Sequence, residues 1–118
     1  MDNARIWEFE ESLWVGEAEH YRDLIDPECL MVLPAHPFVF TGEEAIAAVQ
    51  DTPRWDAVAF SHQSVARPQE GLIVINYKAD AQRGDQAYTA YCTSTLRRLA
   101  HDEWRVVQHQ QTVPLTQG

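Results

Sequence analysis

Basic residues are scarce in this chain, where nine Lys and Arg stand against 18 Asp and Glu and give a formal net charge of −9. The longest basic cluster is the pair Arg97-Arg98. So acidic a protein is repelled by the phosphates of nucleic acids and by the headgroups of anionic membranes. We therefore expect neither a nucleic acid nor a membrane among its partners.

Cysteines are also few, and Cys29 and Cys92 lack the CxxC or CxxH spacing of a redox or metal site. Isolated cysteines of this kind are usually buried free thiols, and we predict that state for both. The five histidines are scattered, with no HxH or HExxH motif among them. A zinc site needs three or four converging ligands, so we expect no metal ion and no cofactor.

Long apolar segments are absent as well. No apolar run reaches the roughly 18 residues that a membrane-spanning helix requires. The N-terminal stretch MDNARIWEFEE is acidic and lacks the apolar core of a signal peptide. These two absences lead us to expect a cytoplasmic protein.

What the chain does contain is enough apolar material for one packed core, since 45% of its 118 residues are hydrophobic. We predict a single domain over residues 1–118. Hydrophobic spacing and turn residues predict an α+β fold, with three N-terminal helices packed on a curved antiparallel β-sheet. The predicted helices cover 3–15, 17–25 and 42–50, and the predicted strands cover 29–33, a short segment before Thr41, 57–67, 71–82, 86–99 and 104–113.

The first helix has its apolar side chains at helical spacing, with Ile6, Phe9 and Leu13 on one face. This face is predicted to cover the sheet. The acidic residues of the helix are predicted to fill the opposite, exposed face, and they are Glu8, Glu10 and Glu11.

A Gly84-Asp85 turn predicts the register of the longest hairpin, because a two-residue turn fixes which residues face each other. Tyr77 then opposes Cys92, and Ile75 opposes Ser94. These pairs form the more apolar face, which we place under the helices. The opposite face carries amphipathic residues and suits water or a partner subunit, and its members include Asn76, Lys78, Tyr91 and Thr93.

The last strand is unusual because "VVQHQQ" places a histidine among three amides. A four-residue loop from 100 to 103 sets Leu99 opposite Trp104 and His109 opposite Ser94, on the helix side of the sheet. On that register Val107 and Gln111 flank His109, while Gln108 and Gln110 face outward. A slip of one residue would exchange the two faces.

Three polar side chains are candidates for one interior cluster, namely His62, Tyr77 and His109. A neutral histidine can act as a base near pH 7, and a tyrosine can donate a hydrogen bond to a developing oxyanion. The alternative is that each is a buried polar side chain with a satisfied hydrogen bond. Cys92 and Ser94 lie near His109, but neither lies in a GxSxG nucleophile motif.

Three stretches of the sequence resemble the nuclear transport factor 2-like superfamily, whose members have a cone-shaped α+β fold. "FEESLWVGEAEHYRDLIDPECLMVLP" is similar to its first two helices and first strand, and "FTGEEAIAAV" to the start of its third helix. "YTAYCTSTLRRLAHDEWRVVQHQQTVPL" resembles the closing hairpin of a bacterial SnoaL-like branch of unknown function. The resemblance implies a conical pocket between helices and sheet, and a homodimer formed through the sheet.

The resemblance does not carry over a catalytic set. Ketosteroid isomerase, in this superfamily, has a carboxylate base just before a proline at the end of its first strand, where this chain has Leu33. The acid–arginine–acid set of limonene epoxide hydrolase has its nearest counterparts in Asp80 and Arg83, beside a hairpin turn. An arginine in the association domain of the calmodulin-dependent kinase corresponds to Tyr77 here.

Two functions from different classes remain open. The first is binding of a small, largely apolar molecule in the pocket. If the protein is an enzyme, this function predicts one of the lyase, isomerase or hydrolase kind, with His109 as acid/base and Tyr77 as hydrogen-bond donor. The second is a dimerisation or assembly module that uses the outer sheet face. The predicted ligand-binding residues are Trp14, Tyr21, Met31, Trp55, His62, Tyr77, Ser94 and His109.

Overall fold

The computed structural model describes residues 1–115, in which three helices accompany one six-stranded sheet. The helices are α1 (Asn3–Val15), α2 (Ala18–Leu24) and α3 (Gly42–Gln50). The strands are β1 (Ile25–Val32), β2 (Val39–Thr41), β3 (Ala57–Gln69), β4 (Leu72–Arg83), β5 (Gln86–Ala100) and β6 (Glu103–Thr112). This arrangement confirms the predicted α+β class. Within the described range, no helix has the length and apolar character needed to cross a bilayer.

The sheet has the order β2-β1-β6-β5-β4-β3. Neighbouring strands run antiparallel, except that β1 and β6 run parallel. The second helix ends one residue earlier than predicted, because Ile25 pairs with Val106 of β6 and so opens β1. Pro27 lies in the irregular stretch between Ile25 and Leu30, where the missing N–H of a proline is tolerated.

The β4–β5 hairpin has the predicted register throughout. Arg83 opposes Gln86 across the Gly84-Asp85 turn, and Gly84 has a φ of 58°, a left-handed conformation that glycine adopts without strain. Ser94 opposes Ile75, and both side chains are buried against the helices. The helix-facing side of the hairpin therefore forms the core, as predicted.

The β5–β6 hairpin departs from the predicted register at its turn. Trp104 opposes Arg98 instead of Leu99. A second irregularity, between Thr95 and Leu96, leaves Val107 as an extra residue, so that Val106 is buried in its place. The two irregularities compensate each other. Consequently, His109 does oppose Ser94 on the helix side, and this part of the prediction is confirmed.

The packing of α1 on the sheet corrects one assignment. Ile6 and Leu13 are buried, as expected, but Glu10 is also fully buried. Glu10 lies four residues after Ile6 and three before Leu13, which is the spacing of one helix face. The prediction that Glu10 is exposed was therefore wrong, whereas Glu8 is exposed as predicted.

The third helix begins with a capping box. The Thr41 hydroxyl accepts from the backbone N–H of Glu44 at 3.2 Å, and Glu44 accepts from the backbone N–H of Thr41 at 2.9 Å. A Cβ atom on Gly42 would lie 2.9 Å from the Asp26 carbonyl oxygen, so only glycine allows this close approach. The start of α3 is thereby held against β1, and the helix closes one side of the interior cavity.

Candidate functional site

The helices and the sheet enclose a cavity of about 130 Å³. Most of its wall is apolar, and three polar side chains, Arg54, His109 and Gln111, interrupt this lining. The apolar part of the wall consists of Leu13, Trp14, Tyr21, Ile25, Met31, Leu33, Val49, Trp55 and Val106. A mostly apolar cavity with a few convergent polar groups has the character of a small-molecule site.

The structure brings together most of the predicted site residues. Those that line the cavity are Trp14, Tyr21, Met31, Trp55 and His109. Tyr77 and Ser94 are not in the wall of this cavity, but both are buried in a hydrogen-bond network connected to His109.

His62 lies elsewhere, and its predicted place in this cluster is wrong. Between Ser61 and Ser64 the β3–β4 register shifts, and His62 has a positive φ of 53°. This bulge breaks the alternation of side chains and leaves His62 exposed. Its ring approaches Tyr91 on the outer face, with the ring centroids 6.4 Å apart.

Glu10 is the centre of the buried network. The Tyr77 hydroxyl donates to its Oε2 at 2.5 Å, and the Ser94 hydroxyl donates to the same oxygen at 2.6 Å. Trp14 donates from Nε1 to the Tyr77 oxygen at 3.1 Å. Glu10 was missed because its charge suggested exposure, although its position on the apolar face of α1 was a usable signal.

His109 connects this network to the cavity. Its Nδ1 lies 2.6 Å from the Ser94 oxygen, and its Nε2 lies 3.1 Å from Nε2 of Gln111. Since the single hydroxyl proton of Ser94 goes to Glu10, the ring proton is assigned to Nδ1, which donates to Ser94. The Nε2 lone pair then accepts from the Gln111 amide. The result is a continuous series of donors from Gln111 through His109 and Ser94 to Glu10.

Burial sets the charge state of this series. It raises the pKa of Glu10 from 4.5 to about 7, while hydrogen bonds from Ser94 and Tyr77 act in the opposite direction. Burial also lowers the pKa of His109 from 6.5 to about 4. The 3.7 Å between His109 Nδ1 and Glu10 Oε2 would suit an ion pair, but these pKa changes favour a neutral imidazole near pH 7. Glu10 is then the group that exchanges protons near neutrality.

A second set of contacts orients the Gln111 amide. Tyr88 donates its hydroxyl proton to the Gln111 side-chain oxygen at 2.8 Å. Trp55 stacks on the Tyr88 ring, with centroids 5.5 Å apart and planes 13° apart. With its oxygen occupied by Tyr88, Gln111 presents its NH₂ group to His109.

Other chemistries have less support. Cys29 and Cys92 are buried free thiols, as predicted, and burial raises the pKa of each to about 12. A thiol that stays protonated at neutral pH is a poor nucleophile. Among residues 1–115, no three His, Cys, Asp or Glu side chains converge in a way that could hold a metal ion.

No model of a protein family matches the chain, and no curated protein matches it. Solved structures do match. A proposed ketosteroid isomerase from Parabacteroides distasonis is 18% identical, with a TM-score of 0.79 over 92% of this chain and 85% of that one. An NTF2-like protein of unknown function in nutrient uptake from Rhodospirillum rubrum is 19% identical, with a TM-score of 0.77 over 98% of this chain and 100% of that one.

A third structure, an NTF2-like protein from Cytophaga hutchinsonii, is 18% identical and has a TM-score of 0.75 over 97% of this chain and 100% of that one. The chain therefore has the nuclear transport factor 2-like fold. At these identities the similarity concerns the fold alone, and function has to be argued from the site.

Proposed function

We propose that this protein binds a small, largely apolar molecule in the cavity and exchanges a proton with it through His109. The observation that carries the proposal is the place of His109. Its imidazole lies in the wall of an otherwise mostly apolar cavity, and Ser94 connects it to the fully buried Glu10. A buried proton acceptor behind a histidine in a cavity wall is an arrangement that suits acid–base chemistry.

The volume of the cavity limits the ligand. An apolar cavity of about 150 Å³ in another protein holds one benzene molecule. At about 130 Å³, this cavity suits a ligand with one ring or a short branched chain. Such a ligand would contact apolar side chains over most of its surface and place a polar group near His109 and Gln111.

The proton would follow the observed hydrogen bonds. Once the Gln111 amide no longer donates to His109 Nε2, the lone pair of this nitrogen takes a proton from the ligand. Nδ1 passes its own proton to the Ser94 oxygen, and the Ser94 hydroxyl proton passes to Glu10. Because the pKa of Glu10 is about 7, this carboxylate can accept the proton near neutral pH and return it later. Tyr77, which donates to Glu10, would position the carboxylate without touching the ligand.

Filling the cavity should abolish binding. Val49 on α3 lines the cavity, and its neighbour Ala48 is exposed on the same helix. We expect calorimetric titration with benzyl alcohol to show saturable binding to the wild type and to Ala48→Trp, and no binding to Val49→Trp. Equal affinities of Val49→Trp and Ala48→Trp would contradict the proposal, because the ligand would then lie outside the cavity.

The second candidate function, assembly, has an observation of its own. On the outer face of the sheet, Leu30 is 61% exposed, Val32 43% and Tyr91 46%. Leu30 pairs with Gln108 and Val32 with Gln110, so apolar and amide side chains alternate there. This mixture is typical of a partly polar subunit interface. We propose a homodimer formed through this face, compatible with ligand binding on the other face.

Native mass spectrometry of the wild type and of Leu30→Lys tests the dimer. A wild-type dimer that becomes monomeric in Leu30→Lys is the expected result, because a charge on this face would have to be buried without a partner. A large ring would favour the assembly module instead. A monomeric wild type would contradict both interface proposals.

A further inference from the structure

Arg54 is the one cavity-lining group, within residues 1–115, that carries a permanent charge. Its Nε donates to the Gly16 carbonyl oxygen at 2.8 Å, and its Nη2 donates to the Leu13 carbonyl oxygen. Its guanidinium carbon lies 5.1 Å from the centre of the Tyr21 ring. These contacts fix the side chain at the C-terminal end of α1, where carbonyl oxygens lack helical partners.

No acidic side chain of the described residues forms an ion pair with Arg54. Burial disfavours the charged form and lowers the pKa of the guanidinium from its ordinary value. The two carbonyl groups and the Tyr21 ring offset part of this cost. They do not supply the negative charge that normally accompanies a partly buried guanidinium.

We infer that the ligand of this cavity carries a carboxylate, which pairs with Arg54, on a small apolar body that reaches His109. This inference rests on the proposed function and adds the chemical class of the ligand. A guanidinium has five N–H donors, and Nη1 of Arg54 donates to no described residue. An arginine held in place by carbonyl groups is well suited to a carboxylate, because little side-chain freedom is lost on binding.

The other polar groups of the wall agree with an anionic ligand. His109 is neutral near pH 7 and Gln111 is uncharged, so neither repels an anion. Glu10 does not line the cavity. A cationic ligand would meet Arg54 and no carboxylate, and would be excluded. The overall acidity of the chain acts against anions at long range, whereas Arg54 acts at contact distance, where screening by salt is weak.

The competing explanation is that Arg54 only caps α1. Benzoate and benzyl alcohol separate the two explanations, because these probes have nearly the same shape and differ in charge. Calorimetry on the wild type should show benzoate binding at least about tenfold more tightly than benzyl alcohol, as expected for one charge-assisted pair. Arg54→Met should remove this preference, because its neutral side chain leaves the carboxylate without a charged partner.

Equal affinity of the wild type for the two probes would overturn the inference and leave the proposed pocket standing. Binding of neither probe would overturn the proposed function itself. If Arg54→Met does not fold, Arg54→Lys replaces it, since lysine keeps the charge but loses the planar fork. A benzoate preference that persists in Arg54→Lys but is weaker than in the wild type supports pairing with the ligand. An undiminished preference would contradict the role of the guanidinium.

Discussion

Replacing His109 with Gln is expected to slow the exchange of the α-protons of cyclopentanone for deuterium by about 100-fold, the lower end of the range for a positioned general base. Cyclopentanone is a single ring that the cavity volume admits. His109 Nε2 takes an α-proton, and the electron pair of the C–H bond moves to the carbonyl oxygen to give an enolate. Return of a deuteron from solvent completes the exchange.

The hydrogen bonds around His109 explain why its loss should have a large effect. The Gln111 amide, freed from Nε2, is able to donate to the enolate oxygen. Ser94 and Glu10 remove the charge that the imidazole would otherwise carry in an apolar surrounding. Glu10→Gln should therefore slow exchange as well, but less than His109→Gln does.

Proton NMR in D₂O follows this exchange directly. Val49→Trp, which fills the cavity, serves as the control for reaction outside it. Equal rates for the wild type and His109→Gln would remove His109 from the chemistry. Equal rates for the wild type and Val49→Trp would place the reaction outside the cavity.

The stability of the fold should depend on pH through Glu10 and His109, in opposite directions. The pKa of Glu10 is raised from 4.5 to about 7, so its stabilising contribution is complete below pH 4.5 and is lost as pH rises to about 7. The pKa of His109 is lowered from 6.5 to about 4, so its contribution is complete above pH 6.5 and is lost as pH falls to about 4. Each change corresponds to about 3 kcal/mol.

In the wild type the pH-dependent changes of these two contributions nearly cancel between pH 4.5 and 6.5, and single substitutions should separate them. As pH rises from 4 to 6.5, the free energy of unfolding of the wild type should increase by about 3 kcal/mol relative to that of His109→Gln. As pH falls from 7 to 4.5, the free energy of unfolding of the wild type should increase by a similar amount relative to that of Glu10→Gln. The buried Tyr and Cys residues titrate only at alkaline pH, because burial raises each of their pKa values.

Urea unfolding at several pH values measures these differences. The exposed residues Glu8 and His20 offer matched controls, since Glu8→Gln and His20→Gln make the same two substitutions outside the core. If the curve of His109→Gln runs parallel to that of the wild type, His109 is not held neutral by burial. A parallel curve for Glu10→Gln would likewise mean that the buried acid has an ordinary pKa.

The sequence predicts most of the fold because the governing signals are local. A single Gly84-Asp85 turn fixes every pair of the β4–β5 hairpin, and a capping box fixes the start of α3. The two irregularities of β5–β6 have no such signal, since an extra residue in a strand is determined by packing. The predicted position of His109 was correct because those irregularities cancel, whereas the uncompensated bulge at His62 displaced that residue.

The site was harder to predict than the fold, for a physical reason. Charged residues are usually exposed, and this rule fails where a cavity wall or a buried network supplies partners. Glu10 is stabilised by two hydroxyl donors from β4 and β5, which are distant in sequence. Arg54 is held by carbonyl groups of α1, and no local pattern around "TPRW" indicates that contact.

Methyl NMR with benzyl alcohol tests the central claim, ligand binding in the cavity, most directly. Strand β1 provides an internal control, because Met31 lines the cavity while its neighbours Leu30 and Val32 are exposed on the opposite face. Saturable shifts of the Met31, Leu13 and Val49 methyl signals, with the Leu30 and Val32 signals unchanged, are the predicted result. Unchanged Met31, Leu13 and Val49 signals up to the solubility limit of the probe would contradict the account.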